Sequence, residues 1–143
     1  MGFARIEVSV VVRAPLQQVF ERITDHEAMA QWPGISSCAL IAEGTPRNGV
    51  GAIRRIKASG LTLDEQVVSF EPPHGYAYQI IRGLPVKHLG TVRLTEAADG
   101  VRVDWHVELS SRLPLVAQLV GMALRRGLPG ALKYFAQTLA PAQ

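Results

Sequence analysis

The sequence predicts an α+β fold with one strand, two short helices, six further strands and a long final helix. Three observations support this prediction. Apolar residues alternate in the first strand, short strand-like runs follow one another from residue 36 to residue 110, and residues 113–139 have the apolar periodicity of a helix. Successive short strands with tight connections form an antiparallel sheet. The final helix is the only element large enough to cover the apolar face of that sheet.

The first elements are a strand and two short helices. In residues 4–13, Ile6 and Val8 point to one side and Arg5 and Glu7 to the other, which predicts a half-buried strand. Pro15 suits the start of a helix, and apolar residues recur at helical spacing through Ile23. A second short helix is expected from Asp25 to Trp32-Pro33.

Six strand-like runs and a helix complete the chain. Each run is bounded by Gly, Pro or an Asp-Gly pair, and the runs are Ser36–Glu43, Gly51–Ser59, Leu61–Glu71, Tyr76–Arg82, Lys87–Glu96 and Val101–Ser110. The last helix, Leu113–Leu139, is amphipathic and contains Pro129. Because a helical proline clashes with the carbonyl four residues before it, we expect a kink or a break at Pro129.

Length and composition predict a single domain over residues 1–143. Apolar residues make up 48% of the chain, which is enough for a sizeable core with a cavity in it. No apolar run reaches about 18 residues, so stable membrane insertion is not expected. The start of the sequence lacks the features of a secretory signal. The only cysteine, Cys38, has no partner for an internal disulfide, and this favours a cytoplasmic location.

Positive charge is concentrated at the C-terminal end. Four bases and no acid follow residue 108, so this segment carries +4 and the rest of the chain −1, for a net charge of +3. These bases suit a solvated helix face, an anionic ligand or a lipid surface. No nucleic-acid-binding motif accompanies them and aromatic residues are only 6%, so we do not expect a nucleic-acid partner. A monomer and a homodimer both remain open.

The chain resembles the START-like, or SRPBCC, superfamily, and within it the polyketide cyclase/dehydrase and lipid-transport group. The resemblance rests on VSVVVRAPLQQVFERITD, the segment from Asp25 to Trp32-Pro33, VGAIRRI, EQVVSFEPPHGYAYQI, the pair GTVRLT and GVRVDW, and the apolar last helix. These stretches cover nearly the whole chain in order. The interruption Gly127-Leu128-Pro129-Gly130 departs from the family pattern.

The resemblance implies a helix-grip fold, in which a seven-stranded curved antiparallel sheet wraps around the last helix and encloses a cavity. It also implies binding of apolar or aromatic small molecules. Some members of the superfamily cyclise polyketides, and many only bind or carry their ligands.

The run from Glu65 to Leu109 predicts one wall of this cavity, because its turns fix which side chains share a face. A two-residue turn at Asp99-Gly100 places Leu94 opposite Trp105 and Val92 opposite Val107. Arg93 and His106 then fall on the outer face, and a slip of one residue would exchange the two faces.

The two earlier turns extend this wall. A turn centred on Pro73-His74 pairs Glu65 with Arg82, and a corner centred on Pro85 pairs Arg82 with His88. Met122 of the last helix is expected to close the far side. The predicted ligand-binding residues are therefore Glu65, Val67, Tyr76, Tyr78, Ile80, Arg82, His88, Val92, Trp105 and Met122.

Glu65, Arg82 and His88 would form the polar end of the wall. There they could orient the polar end of a ligand, or Arg82 could stabilise an enolate while His88 or Glu65 moves a proton. Glu65 and Arg82 could equally be a cross-strand ion pair at the sheet rim with no further role. The histidines lack metal-ligand spacing and no nucleotide fingerprint is present, so neither a metal nor another cofactor is expected.

Three functions remain open at this point. The first is binding of a hydrophobic or aromatic molecule in the cavity. The second is a metal-free polyketide cyclase or dehydrase that acts by acid–base catalysis. The third is an interaction protein with a collapsed cavity, whose basic last helix contacts a membrane or another protein.

Overall fold

The computed structural model describes residues 2–139. It contains seven strands, two α-helices and one short 3₁₀ helix. In chain order the elements are β1 (Gly2–Val12), α1 (Leu16–Ile23), the 3₁₀ helix (His26–Gln31), β2 (Ser37–Ala42), β3 (Ile53–Ala58), β4 (Leu61–Glu71), β5 (Gly75–Arg82), β6 (Lys87–Ala97), β7 (Gly100–Ser111) and α2 (Val116–Leu139).

The strands form one antiparallel sheet in the order β1-β7-β6-β5-β4-β3-β2. Every strand after β2 pairs with its neighbour in the chain, and β1 closes the far edge by pairing with β7. The predicted element order and the sheet around a long C-terminal helix are therefore confirmed.

The register between β6 and β7 differs from the prediction by two residues. Val92 lies opposite Trp105 and Leu94 opposite Val103, because Ala98 and Asp99 form the turn and Gly100 begins β7. Gly100 has φ +144°, and a Cβ there would collide with the carbonyl of Val12. A shift of two residues leaves every side chain on the same face, so Trp105 still points inward.

The predicted pairing of Glu65 with Arg82 is wrong. The β4–β5 turn pairs Glu71 with Gly75, one residue away from the expected register, and irregularities between Val67 and Ser69 and between Asp64 and Glu65 change it again. As a result Glu65 lies opposite Ile80 and Arg82 lies opposite Asp64. The irregularity at Val68 leaves Val67 facing inward opposite Tyr78 and Ser69 facing outward opposite Ala77.

The predicted pairing of Arg82 with His88 is also wrong. The β5–β6 register differs by two residues from the one expected, with Tyr76 opposite Val92 and Tyr78 opposite Gly90. His88 therefore falls beside Ile80, whose backbone N–H donates to His88 Nδ1 at 3.2 Å.

Helix α2 packs across β1 and β7 and runs without interruption through Pro129, so the predicted break does not occur. Pro129 and Gly130 are exposed, and the carbonyl that loses its partner there can tilt towards water. Near its start the helix comes very close to β1, because a Cβ on Gly121 would lie 2.9 Å from the Cβ of Ala4. Met122 points away from the sheet and is 46% exposed.

Candidate functional site

A charged residue lies in the middle of the protein interior. Arg54 is only 1% exposed, and its Nε donates to Glu65 Oε1 at 2.9 Å. Glu65 is on the neighbouring strand, directly opposite Arg54, so the hairpin between β3 and β4 builds the ion pair. The Glu65 side chain keeps 9% of its surface exposed to solvent, whereas the Arg54 side chain is almost completely buried.

The guanidinium of Arg54 contacts aromatic residues and a histidine as well. Its Nη1 donates to Tyr76 Oη and to His26 Nδ1, each at 3.1 Å, and its carbon lies 4.4 Å from the centre of the Tyr78 ring. Burial opposes the charge, but Tyr76 and Glu65 hold the pKa of Arg54 above its ordinary value. Nη2 is buried and has no hydrogen-bond partner among residues 2–139. Such an orphaned donor is costly unless another group satisfies it.

The hydrogen bonds of His26 fix its tautomer. Nε2 lies 2.8 Å from the carbonyl oxygen of Asn48, which can only accept, so Nε2 carries the proton and Nδ1 accepts from Arg54. Burial, followed by the nearby charge of Arg54, lowers the pKa of His26 to about 3. The ring is therefore neutral at physiological pH.

His88 is neutral for similar reasons. Its Nδ1 accepts the backbone N–H of Ile80, so its Nε2 carries the proton and is a hydrogen-bond donor. Burial lowers the pKa of His88. Its ring centre lies 5.3 Å from that of Tyr78, whose hydroxyl accepts a hydrogen bond of 2.9 Å from Trp105 Nε1.

His88 also lines a large open cleft. A cleft of about 840 Å³ lies between the β5–β6 connection and the link from β7 to α2. Its lining mixes apolar residues, polar residues and two bases, with no acid, and consists of Gln79, Ile80, Leu84, Pro85, Val86, Lys87, His88, Ser110, Ser111, Arg112 and Leu113. The Ser111 hydroxyl donates to the carbonyl of Pro85 at 2.8 Å and ties the two sides together.

Eight of the ten residues predicted to bind ligand lie on the inner side of the sheet. Val67, Tyr76, Tyr78, Val92 and Trp105 are buried and pack together, and Glu65 and His88 are buried beside them. Ile80 is half-buried and lines the cleft together with His88.

Arg82 and Met122 lie elsewhere, so their predicted positions are wrong. Arg82 is exposed at the end of β5, where a register shift between Asp64 and Glu65 pairs its backbone with Asp64. Met122 faces solvent, because the helix buries Ala117 and Gly121 on the opposite side.

Arg54, His26 and Asn48 were not assigned to the site from sequence. Arg54 and Arg55 fall on opposite faces of β3, and the alternation of the strand does not say which of them faces the interior. A two-residue turn at Ser59-Gly60 would have resolved it, since this turn places Arg54 opposite Glu65. No local pattern in the sequence indicates His26 or Asn48. Tertiary packing brings His26, from the 3₁₀ helix, to Arg54 and brings the Asn48 carbonyl to His26.

No group of three or more His, Cys, Asp and Glu side chains that could hold a metal occurs among residues 2–139. The polar cluster instead offers hydrogen-bond donors from Arg54 and His88. Such donors can orient an oxygen atom of a ligand.

Known proteins share this architecture over the whole chain. The START superfamily protein from Mycobacterium smegmatis is 19% identical with a TM-score of 0.77, and the match covers 97% of this chain and 100% of that one. The protein XoxI from Bacillus cereus is 20% identical with a TM-score of 0.76, covering 95% of each chain. A protein from Thermus thermophilus is 17% identical with a TM-score of 0.74, covering 96% of this chain and 97% of that one. At these identities the similarity shows the fold alone. No curated protein matches the sequence.

None of the helices among residues 2–139 has the length and apolar character needed to cross a membrane. The family model described as polyketide cyclase/dehydrase and lipid transport matches residues 4–142. Because this match spans nearly the entire sequence, the chain belongs to the polyketide cyclase/dehydrase and lipid transport family, and its sheet and helix have the START-like fold.

Proposed function

We propose that the protein binds an apolar or aromatic small molecule with an acceptor oxygen, such as a lipid-like or polyketide-like carbonyl compound. The observation that carries this proposal is the cleft of about 840 Å³, which has the volume of a small-molecule site. Apolar side chains of Ile80, Leu84 and Val86 would contact the body of the ligand. His88 would donate its Nε2 proton to the oxygen.

The buried polar cluster supports the same ligand chemistry. The orphaned Nη2 of Arg54 is a second donor behind His88, and Tyr78 contacts both residues. The charges of Arg54 and Glu65 offset each other, and the nearby histidines are neutral. At the cluster itself a neutral carbonyl therefore suits better than an anion, because the two bases of the cleft, Lys87 and Arg112, belong to its lining and not to the cluster.

Polyketide cyclisation is the second candidate, and the family supports it. An aldol closure needs a base that removes a proton next to a carbonyl. In the tautomer that the Ile80 contact selects, His88 presents a donor and not a base. Glu65, the other candidate base, already accepts a hydrogen bond from Arg54. The arrangement therefore favours binding, in which the ligand leaves unchanged. The lack of a disulfide partner for Cys38 is consistent with a cytoplasmic site of action.

Nile red, an aromatic dye with a carbonyl, and anthracene, which has no acceptor, form a suitable probe pair. Both should bind the purified protein and change in fluorescence. His88→Leu introduces an apolar side chain of similar bulk and removes the hydrogen-bond donor. Nile red should therefore bind about fivefold more weakly, while the affinity for anthracene is unchanged. His88→Gln, which keeps an N–H donor, should bind Nile red better than His88→Leu does.

Thr91→Val serves as the matched control, because Thr91 lies on the same strand and lines only a small depression of about 40 Å³. It should bind both dyes as the wild type does. Native mass spectrometry should recover the bound compound with its mass unchanged. The proposal fails if neither dye binds, or if His88→Leu and Thr91→Val bind Nile red equally well.

A further inference from the structure

Helix α2 has a second apolar face that nothing in the structure covers. Its buried face packs on the sheet through Ala117, Gly121 and Phe135. On the opposite side, Leu119 is 62% exposed and Met122 is 46% exposed. Leu119 and Met122 are three residues apart and therefore share one side of the helix. Leu115 lies directly before α2 with φ +67°, is 65% exposed, and its carbonyl accepts the Leu119 N–H.

Basic residues surround this stripe. Arg126 continues it by one turn, Lys133 follows on the same side two turns later, and Arg112 precedes the helix. Within the described part of the chain, none of these three bases forms an ion pair. No acid occurs after residue 108, so the surface carries a positive charge that its own segment does not offset.

Surfaces with bulky apolar side chains flanked by bases bind to anionic bilayers. The apolar groups enter the headgroup region, and the bases contact the phosphates. A second copy of the chain does not fit as well. It would bring the same bases to a symmetric contact, and like charges would face each other.

The stripe also lies next to the cleft. Leu113 lines the cleft and is itself 51% exposed, and Leu115 follows two residues later. The cleft and the apolar stripe are thus close to each other along the chain. A protein that lies on a bilayer through this stripe would hold the cleft near the lipid.

We propose that the α2 stripe of Leu119 and Met122, with Leu115 directly before the helix and Arg112, Arg126 and Lys133 around it, binds peripherally to anionic lipid surfaces. This binding does not depend on an occupant of the cleft. It is superficial, because the buried face of α2 stays on the sheet and only the exposed side chains enter the headgroup region.

Vesicle co-sedimentation of the full chain tests this proposal. The protein should bind vesicles made of equal parts phosphatidylcholine and phosphatidylglycerol, and high salt should release it. Replacing two apolar residues, in Leu119→Ser/Met122→Ser, should weaken binding by about tenfold or more. Arg126→Gln should weaken it by about fivefold.

The control is Ile41→Ser/Val68→Ser, which removes two apolar residues of similar exposure from strands β2 and β4, distant from α2 along the sheet. It should bind the vesicles as the wild type does, and circular dichroism should show that all variants are folded. Equal binding to pure phosphatidylcholine vesicles would overturn the proposal. So would unchanged binding by Leu119→Ser/Met122→Ser, or a wild type that ignores the vesicles and dimerises through this helix.

Discussion

Arg54 and Glu65 form an ion pair that is expensive to bury. Removing two such charges from water costs several kcal/mol each, and their attraction repays this only when further hydrogen bonds satisfy the groups. Arg54 gains bonds to Tyr76 and His26, yet its Nη2 remains without a partner among the described residues. Apolar residues of similar size would often be as stable in this position. We therefore interpret the pair as part of a binding site and not as a contribution to stability.

His26 should make the folded protein sensitive to mild acid. Its pKa is about 3 when folded against an ordinary value of 6.5, so between these pH values the unfolded chain holds a proton that the folded chain lacks. The free energy of unfolding therefore has its full value above pH 6.5 and falls as the pH decreases. His26 lowers it by up to about 1.4 kcal/mol per pH unit. The pKa of His88 is lowered too and acts in the same direction.

Urea unfolding between about pH 7 and pH 4.5 measures this dependence. His26→Gln keeps a group that can accept from Arg54 and donate to Asn48 but does not titrate, so stability should fall less steeply than in the wild type. His74→Gln, in an exposed turn, is the control and should keep the wild-type slope. The interpretation is wrong if His26→Gln and the wild type lose stability in parallel.

The same cluster shows what could be inferred residue by residue from the sequence. Counting from the turns was enough to assign Val67, Tyr76, Tyr78 and Trp105 to the inner face, where the structure has them buried. Arg54 could have been assigned by counting the Ser59-Gly60 turn. His26 could not, because it reaches Arg54 from a separate helix and only tertiary packing brings the two together.

At the scale of whole elements, the β4–β5 register explains why the predicted pairing of Glu65 with Arg82 was wrong. Neither Gly nor Pro occurs in β4, so its sequence gives no sign of the irregularities between Val67 and Ser69 and between Asp64 and Glu65. Glu65 therefore lies opposite Ile80, and Arg82 lies opposite Asp64. The other two register errors were shifts of two residues and moved no side chain to the other face.

Two glycines of α2 should respond in opposite ways to the same substitution. Gly121→Ala places a methyl group 2.9 Å from the Cβ of Ala4, which is fixed to the backbone of β1, so it should destabilise the fold by about 1–3 kcal/mol. A Cβ on Gly127 meets nothing within 4 Å. Gly127→Ala should therefore stabilise by about 0.5–1 kcal/mol, because alanine loses less backbone entropy in a helix.

Chemical unfolding of both variants tests this close contact of α2 with β1. The two variants should change the free energy of unfolding in opposite directions, because both sites are in the same helix but differ in the space available for a methyl group. A loss of stability in Gly127→Ala as large as that in Gly121→Ala would mean that helix propensity does not decide the outcome at residue 127. A gain in Gly121→Ala would show that α2 lies further from β1.

On the scale of the molecule, a cluster of three aromatic side chains connects the 3₁₀ helix, the sheet and α2. Trp32 follows the 3₁₀ helix, Trp105 is in the sheet and Phe135 is in α2. The Trp32 ring centre lies 5.8 Å from each of the other two, and all three side chains are buried. The buried apolar residues of the helices and of the sheet therefore belong to one core. Among residues 2–139 no second cluster of buried apolar residues is separate from it.

This shared core predicts that the chain unfolds as a single domain in one step. In urea, tryptophan fluorescence reports on Trp32 and Trp105, and far-ultraviolet circular dichroism reports on the helices and strands. The two signals should give the same midpoint and the same slope. Phe135→Ala removes the contribution of α2 to the aromatic cluster, and it should lower the midpoint in both signals together by a loss of about 3–5 kcal/mol. If the helical signal of Phe135→Ala disappeared at lower urea while the tryptophan signal kept the wild-type midpoint, α2 would be a separate unfolding unit and the single-domain prediction would be wrong.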